Sequence, residues 1–446
     1  MNHPPLLFFI GGLGDIDLAT NQSLKNTIKY LSEFGFRIHH FGAFPNHYHI
    51  LQDPKKIFNE RVVFHRSPDF LIPLFNFGKF LKNTFGMRQV ENQNVERLKA
   101  TQKIRYYDEY SFLSRLLYIG FFFGYAFIEI LRVSYYYFKL KPHLFYGING
   151  PGSALATFFG KLYRKPAIQR WHGCSYTEED ILEIRTQFFS KLLTLDGGFA
   201  KWLPSDAVIV TNDGTQGEKR FRLIGVPAEK IHFWINGIDL DDMTLPKDWD
   251  PERFKRTLGL EGKKVLLMAS RLVLWKRVDR GIDCLWRLVN EQGLKEIVLV
   301  ILGQGKEYEN LQKLVKDLDI QDHVRFVGAV PHREIAQYYS IADVFLNLYD
   351  VSNLGNPLLE AMYCGLPIVS IDDGSTAELL RDGDNAFLVP HERLDLDLPA
   401  KVRRLLTDPM LSKQFSERAK KTLQEKVLSW KDRMLLEHEL IQKLLK

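Results

Sequence analysis

Short apolar runs alternate with amphipathic helical stretches along almost the whole chain, and this pattern occurs twice. In the first half, the runs suited to strands are Leu6–Ile10, Phe36–Phe41, Leu144–Gly147, Ala167–Trp171 and Ala207–Val210. In the second half, they are Val265–Ala269, Ile297–Leu302, Val324–Val327, Val344–Leu346 and Ile368–Ile371. Continuous apolar strands separated by helices are typical of a parallel sheet covered on both faces. The sequence therefore predicts an α/β protein with two Rossmann-like, doubly wound domains.

The length of the chain and one polar stretch predict where these domains end. At 446 residues the chain is too long for one ordinary core. The sequence turns polar between Asn236 and Leu260 and ends in an amphipathic helix around Trp430. We expect a first domain over residues 1–235, a second over residues 236–425, and a final helix over residues 426–446 that returns to the first domain.

Composition excludes several classes of protein. Hydrophobic residues make up 45% of the chain and charged residues 26%, which argues against disorder. Three scattered cysteines predict neither a disulfide framework nor structural zinc, and they favour the cytoplasm. The net charge of +6 suits anionic partners but does not indicate nucleic acid. We interpret the histidine-rich stretch at His39, His40, His47 and His49 as structural and predict no metal site.

Two segments raise the question of a membrane. The apolar stretch Leu116–Leu131 falls short of the ~20 residues that a spanning helix needs. It suits a buried helix or a helix lying on a bilayer surface. The basic stretch Lys79–Arg105 suits a solvated loop or a loop that faces a membrane or an acceptor. Leu6–Ile10 is too short for a signal peptide, so we expect a cytoplasmic protein with peripheral contact to the inner membrane face.

Two motifs that follow strands in the second half predict an anion site. Ser352, Asn353, Leu354, Gly355 and Asn356 lead into a helix that has Pro357 at its first position and Glu360 one turn later. Backbone N–H groups at such a helix start bind anions, and a carboxylate can accept hydrogen bonds from a ribose diol. Arg271 and Lys276 follow another strand. Together the motifs predict binding of a nucleoside diphosphate.

The order and spacing of these motifs resemble the donor domain of the family-4 retaining glycosyltransferases with the GT-B fold. The resemblance extends over roughly residues 204–389, and the closing helix around Trp430 is similar to one that crosses back onto the first domain in that fold. The segments that carry it are Asn236–Asp239, Arg271, Lys276, Gly303–Gly305, Val327–Gly328, Ala342–Val344, Pro357–Met362, Gly365–Val369 and Leu380–Gly383. In the first half, Gly12 and Gly14 resemble the family's glycine-rich loop, and His172 resembles its cleft histidine.

The resemblance implies two facing domains and transfer of a hexose with retention of anomeric configuration. The implied donor is a nucleoside-diphosphate sugar, most often with uridine, and the implied acceptor is a saccharide or a lipid-linked molecule. Arg271 and Lys276 would stabilise the leaving diphosphate, with His172 and Glu360 completing the catalytic set. The donor would also meet Gly12, Gly14 and the turn from Ser352 to Asn356. Such enzymes need no metal, and the products belong to polysaccharide, glycan or glycolipid biosynthesis.

One departure from the family pattern leaves alternatives open. The family has two glutamates separated by seven residues; Glu360 occupies the second position, but Ser352 occupies the first. Asp350, Asn353 or Asn356 could replace the lost sugar contact. A non-catalytic, regulatory sugar-nucleotide-binding protein and a sugar-nucleotide epimerase with the same fold therefore stand beside the transferase as alternative hypotheses.

Overall fold

The protein contains two parallel β-sheets, each flanked by helices. This computed structural model describes residues 4–11, 22–41, 58–65, 127–172, 198–211, 217–238, 243–350 and 354–446. The strands of the first sheet are β1 Leu6–Ile10, β2 Arg37–Phe41, β3 Val62–His65, β4 Leu144–Ile148, β5 Ala167–Trp171, β6 Ala207–Val210 and β7 Ile231–Phe233. They are arranged in the order β3-β2-β1-β4-β5-β6-β7.

The second sheet has the order β10-β9-β8-β11-β12-β13. Its strands are β8 Lys264–Ala269, β9 Ile297–Leu302, β10 Val324–Gly328, β11 Val344–Asn347, β12 Ile368–Ile371 and β13 Phe387–Val389. In each sheet the chain reverses its direction of winding at the centre, between β1 and β4 and between β8 and β11. Ligands of doubly wound sheets bind beyond the carboxyl ends of the strands at such a switch point.

Helices cover both faces of the two sheets. Within the described residues they are α1 Gln22–Glu33, α2 at residues 127–140, α3 Asn149–Tyr163, α4 Gly217–Ile224, α5 Pro251–Thr257, α6 Val278–Asn290, α7 Tyr308–Asp317, α8 His332–Ser340, α9 Asn356–Tyr363, α10 Leu394–Thr407, α11 Pro409–Lys426 and α12 Trp430–Leu444. Alternate residues of β8 enter different cores, because successive side chains point to opposite faces. Leu266 packs with Ile282 of α6, whereas Leu267 packs in the cluster that contains Leu359 of α9.

The predicted fold class is confirmed, and the ten predicted strands are present with ends that shift by at most one residue. The sequence analysis missed β3, β7 and β13, which have only three or four residues each and lie at the edges of the sheets. A run this short gives little periodic signal, so pairing with a neighbouring strand decides its conformation. The domain boundaries at residues 235 and 425 stay predictions.

The last helix, α12, returns to the first domain as predicted. Trp430, Met434 and Ile441 enter the apolar cluster that also contains Leu7 and Leu144 of the first sheet. The chain crosses between the domains at two adjacent places, since Ile238 forms a backbone bridge with Ser429. A β-carbon on Gly237 would lie 2.4 Å from the α-carbon of Trp430, so only glycine permits this close approach.

A buried ion cluster fixes α12 to the first sheet. Glu437 accepts a hydrogen bond of 2.8 Å from Arg170 of β5 and one of 2.6 Å from Arg433. The hydroxyl of Tyr146 on β4 donates to its second oxygen at 2.7 Å. These two guanidinium groups lower the pKa of the Glu437 carboxyl although burial opposes them. Because a buried charge is tolerated only when it is paired, the cluster specifies one position of α12 on the first sheet.

Among the described residues, no helix is both long and apolar enough to cross a bilayer. Residues 127–131 of the predicted segment Leu116–Leu131 form the start of α2, and residues 116–126 lie outside the described residues. The basic stretch Lys79–Arg105 also lies outside them.

The described histidines of the first sheet are packed among aromatic rings. His39 and His65 lie on neighbouring strands with a ring nitrogen of each 2.8 Å apart, and the ring of Phe41 stacks on His65. His40 points to the other face of the sheet and is fully buried. The described residues contain no group of three or more side chains suited to hold a metal ion. His47 and His49 lie outside the described residues.

Burial of His40 predicts that the protein loses stability in mild acid. Desolvation, assisted by Arg132, lowers the pKa of His40 from 6.5 to about 4. Between these pH values the unfolded chain gains a proton that the folded protein does not, so the free energy of unfolding falls as the pH drops. His40→Leu should raise the free energy of unfolding at pH 5 by about 2 kcal/mol relative to pH 8, as measured by urea denaturation. An unchanged pH dependence in the variant would contradict this assignment.

Candidate functional site

Arg271 and Lys276 lie in the loop that follows β8, at the switch point of the second sheet. Lys276 is buried, with its Nζ atom 3.4 Å from the ring centroid of Tyr349 and 4.0 Å from that of Trp275. Burial and the nearby positive charge of Arg271 hold the pKa of Lys276 well below its usual value. Within the described part of the chain, no carboxylate pairs with either cation. Two adjacent cations, one of them desolvated, form a site that favours an anion.

The loop that follows β9 packs against the loop that carries Arg271. Gly303 has a φ of 126°, and a β-carbon there would lie 1.8 Å from the carbonyl oxygen of Ser270. The amide of Leu272 donates to the carbonyl of Gln304 at 3.0 Å. Glycine at position 303 therefore permits a close backbone contact that places Arg271 at the edge of the sheet.

The loop that follows β11 is tied to the same place by buried ion pairs. Asp350 accepts hydrogen bonds from Arg277 at 3.1 Å and from Arg280 at 2.7 Å, and all three side chains are buried. Its amide donates to the carbonyl of Trp275 at 3.0 Å. Arg277 has a φ of 46°, a conformation that costs energy for any residue with a β-carbon, and Asp279 holds it from the other side. The cluster fixes the backbone on both sides of Lys276.

This arrangement corrects one expectation. Asp350 was a candidate to replace the family's first glutamate at the transferred sugar, but only 2% of the residue is exposed and its carboxylate is committed to Arg277 and Arg280. Ser352 and Asn353 lie outside the described residues.

Helix α9 presents its first turn to the cleft. The helix begins at Asn356, with Gly355 as the residue before it, so Pro357 is its second residue rather than its first as the sequence suggested. No side chain caps this helix start. Pro357 has no N–H group, and the amides of Leu358 and Leu359 donate to the carbonyl of Gly355 at 3.0 and 3.3 Å, so the amide of Asn356 is the first-turn donor that faces a ligand. Leu354 is fully buried and anchors the turn.

Glu360 lies at the floor of the cleft, held by two residues that the sequence analysis missed. Its Oε1 atom is 3.1 Å from Nε2 of His332, and its Oε2 atom accepts a hydrogen bond of 2.9 Å from the hydroxyl of Tyr339. Burial and then Glu360 raise the pKa of that hydroxyl well above 10. His332 and Tyr339 are seven residues apart on α8, a spacing of two turns that places both on one helix face. A carboxylate can accept about four hydrogen bonds, so Glu360 keeps capacity for a ligand.

The cleft around Glu360 combines the second domain with the crossing points between the domains. Its lining residues are Gly237, Ile238, Met243, His332, Asn356, Leu359, Glu360 and Trp430. Tyr349 connects this cleft with the cations: its ring contacts Lys276, and burial and the charge of Glu360 both raise the pKa of its hydroxyl. The structure thus brings Arg271, Lys276, Asn356 and Glu360 to one edge of the second sheet.

His172 follows β5 in the first domain. Its Nδ1 atom is 3.1 Å from Oδ1 of Asn149, which follows the neighbouring strand β4. Surrounding protein and the charge of Arg170 lower its pKa below 6.5, although the exposed position of the ring limits the desolvation. The imidazole is therefore neutral at pH 7. Gly12 and Gly14 lie outside the described residues.

Part of the chain that contains this site matches a known protein family. The model of the family described as "Glycosyl transferases group 1" matches residues 250–422, which include Arg271, Lys276 and Glu360. Residues 250–422 therefore resemble a glycosyl transferases group 1 domain. This agrees with the group of glycosyltransferases that the sequence motifs indicated for this half of the chain.

Named relatives match less than half of the chain. A "GDP-mannose-dependent alpha-(1-6)-phosphatidylinositol monomannoside mannosyltransferase" of Mycolicibacterium smegmatis is 31% identical over 212 residues, which is 46% of this chain and 54% of that protein. An "N-acetyl-alpha-D-glucosaminyl L-malate synthase" of Bacillus anthracis is 31% identical over 184 residues, which is 41% of this chain and 46% of that protein. The chain therefore spans about half the length of the relatives it matches.

Solved structures of low sequence identity share the whole fold. HepE of Anabaena in complex with UDP superposes with a TM-score of 0.66 at 17% identity, over 98% of this chain and 100% of that one. Sucrose-phosphate synthase of Thermosynechococcus elongatus gives a TM-score of 0.64 at 15% identity, over 99% of both chains. At this level of identity the likeness shows the GT-B fold alone.

Proposed function

We propose that this protein is a retaining glycosyltransferase that moves a hexose from a nucleoside-diphosphate sugar to a saccharide or lipid-linked acceptor. The observation that carries the proposal is the pair of cations Arg271 and Lys276 at the switch point of the second sheet, for which the described residues provide no carboxylate partner. A donor diphosphate would supply an anion to this pair. The names of the relatives support a role in glycan or glycolipid biosynthesis, which we place in the cytoplasm.

Each of the described site residues has its own role in the proposed reaction. Arg271 and Lys276 neutralise the diphosphate as the anomeric bond breaks, and fixed cations of this kind contribute about 10²–10³ in rate. The start of α9 adds the backbone amide of Asn356, and Glu360 accepts hydrogen bonds from the ribose. The acceptor hydroxyl attacks from the face that the diphosphate leaves, so configuration is retained. His172 meets the transferred sugar from the first domain.

We infer that the reaction needs no metal cofactor. In phosphoryl chemistry a metal neutralises the charge of a leaving diphosphate, and here Arg271 and Lys276 bring two positive charges to one edge of the sheet. Turnover that continues in a chelator would support this inference, and turnover that stops until a divalent ion is restored would overturn it.

Thermal unfolding in the presence of nucleotides tests the donor site. A ligand at 100 times its dissociation constant stabilises the folded state by about 2.7 kcal/mol. We expect one series among UDP, GDP and ADP, each with its sugar nucleotides, to raise the midpoint, with UDP as the first choice. Lys276→Ala should lose the shift. A shift of equal size in this variant would place the nucleotide elsewhere.

The alternative hypotheses predict different outcomes of the same experiments. Ser352 in place of the family's first glutamate favours a non-catalytic binding protein, which would bind a sugar nucleotide but release no nucleoside diphosphate with any acceptor. An epimerase would change the donor sugar without an acceptor. Product analysis of a donor incubated with and without saccharide acceptors separates these outcomes from transfer.

A further inference from the structure

Helix α2 exposes a row of large apolar side chains where a helix of a soluble domain has polar ones. Phe127 is 62% exposed, Leu131 58%, Tyr135 62% and Phe138 71%. The spacing of four, four and three residues places them on one face of the helix. The opposite face of α2, with Val133, packs on the first sheet. A contiguous exposed apolar row of this kind marks an interaction surface.

Helix α3 packs beside α2 in the same apolar cluster and exposes two further apolar side chains. The rings of Tyr137 and Tyr163 stack at a centroid distance of 3.6 Å, and the Tyr163 hydroxyl donates to Oγ of Ser134 at 2.8 Å. On α3, Phe158 is 43% exposed and Leu162 is 53% exposed. We call the six exposed apolar residues of α2 and α3, namely Phe127, Leu131, Tyr135, Phe138, Phe158 and Leu162, the docking face.

Basic residues gather at one end of the docking face. Four cationic side chains at the carboxyl ends of the two helices are exposed: Lys139, Lys141, Lys161 and Arg164. Residues 127–172 contain one acidic residue, Glu129, which is buried and paired with Arg132 at 2.6 Å. Basic residues at helix ends complement the helix dipole, but the dipole does not explain the apolar row beside them.

We propose that the docking face binds the surface of a bilayer that contains acidic phospholipids. Apolar and aromatic side chains on a helix that lies flat on a membrane enter the boundary between headgroups and acyl chains, while adjacent cations meet the lipid phosphates. The excess of positive charge around the docking face selects an anionic lipid surface over an uncharged partner. The inference goes beyond the proposed reaction and does not depend on the donor site.

Sedimentation of the full chain with lipid vesicles tests the proposal. We expect the protein to sediment with vesicles of phosphatidylcholine mixed with phosphatidylglycerol, and to sediment less with phosphatidylcholine alone. Raised salt should weaken binding to the mixed vesicles, because each basic residue near the surface contributes about a fivefold change in affinity. Absence of binding, or equal binding to both vesicle types, would overturn the proposal.

Two pairs of variants locate the contact. Leu131→Ser combined with Phe138→Ser removes two of the four apolar side chains of the row on α2. Leu396→Ser combined with Met410→Ser is the matched control, at 74% and 78% exposure in the second domain. Lys139→Glu combined with Lys161→Glu reverses the charge; Lys413→Glu combined with Lys421→Glu is the matched control on α11. Only the first member of each pair should lose vesicle binding. Equal loss in a control would overturn the assignment to the docking face.

Folding of the variants is checked independently of the vesicles. All substituted side chains are exposed, so the urea unfolding curves should stay within about 0.5 kcal/mol of the wild type. Nucleotide binding should also persist in the docking-face variants. A failure of the proposed donor site would leave the vesicle result unchanged, which keeps the two proposals separable.

Discussion

Lys276→Met is expected to lower the rate of sugar transfer about 10²–10³-fold and, at the same time, to raise the free energy of unfolding at pH 7. The two effects share one cause. Burial and Arg271 hold the pKa of Lys276 well below 10.5, so the folded protein without a ligand bears the cost of a desolvated cation. Methionine of similar shape removes that cost and also removes the charge that the donor diphosphate needs.

The effect of Lys276→Met on the free energy of unfolding should depend on pH. The unfolded chain holds the Lys276 proton to a higher pH than the folded protein does, so the cost to the folded state shrinks as the pH approaches 10.5. The stability difference between variant and wild type should shrink with it. Donor binding restores the charged form, so affinity for the diphosphate should fall as the pH rises.

The control for Lys276→Met is Lys295→Met. It changes an exposed lysine before β9 and should alter neither the free energy of unfolding nor the rate of sugar transfer. Urea denaturation at several pH values measures stability, and release of nucleoside diphosphate measures turnover. A Lys276→Met protein that is less stable than the wild type, or as active, would contradict the account.

Asp350→Asn is expected to destabilise the protein by about 3–5 kcal/mol, because it removes the charge that pairs two buried guanidinium groups. The carboxylate of Asp350 bonds Arg277 at 3.1 Å and Arg280 at 2.7 Å. Burial and the adjacent charge of Arg277 already lower the pKa of Arg280 to about 10. Loss of the carboxylate therefore leaves positive charge uncompensated in the interior of the second domain.

The matched control is Asp279→Asn. Asp279 also pairs with Arg277, at 2.9 Å, but its side chain is 27% exposed, so its removal should cost at most about 1 kcal/mol. Urea denaturation measures both variants. If Asp350→Asn instead folds as stably as the wild type and loses only sugar transfer, Asp350 contacts the donor sugar and its assignment to the ion cluster is wrong.

The sequence predicted those parts of the fold that depend on local periodicity. Ile297–Leu302 has six consecutive buried apolar residues, and such a run flanked by helices is typical of a central parallel strand. Phe387–Val389 has three, and it forms an edge strand only because β12 offers a partner. Arg271 and Lys276 could be predicted as site residues because they leave a strand end.

The contacts that could not be predicted depend on tertiary packing. Asp350 pairs with an arginine 73 positions away in the sequence, and no local pattern predicts that pair. His332 and Tyr339 reach Glu360 from another helix, so their seven-residue spacing shows a shared face but not what the face meets. Local sequence patterns therefore suggested residues for an anion site but could not predict what holds those residues in place.

In the proposed reaction the donor diphosphate leaves against Arg271 and Lys276 with retention at the sugar. Proton NMR of slow donor hydrolysis without acceptor tests this step, using the sugar nucleotide that stabilises the protein. We expect that the freed sugar keeps its identity and appears first as the anomer present in the donor, and that Lys276→Met abolishes its release. First appearance of the opposite anomer, or release that does not depend on Lys276, would contradict it.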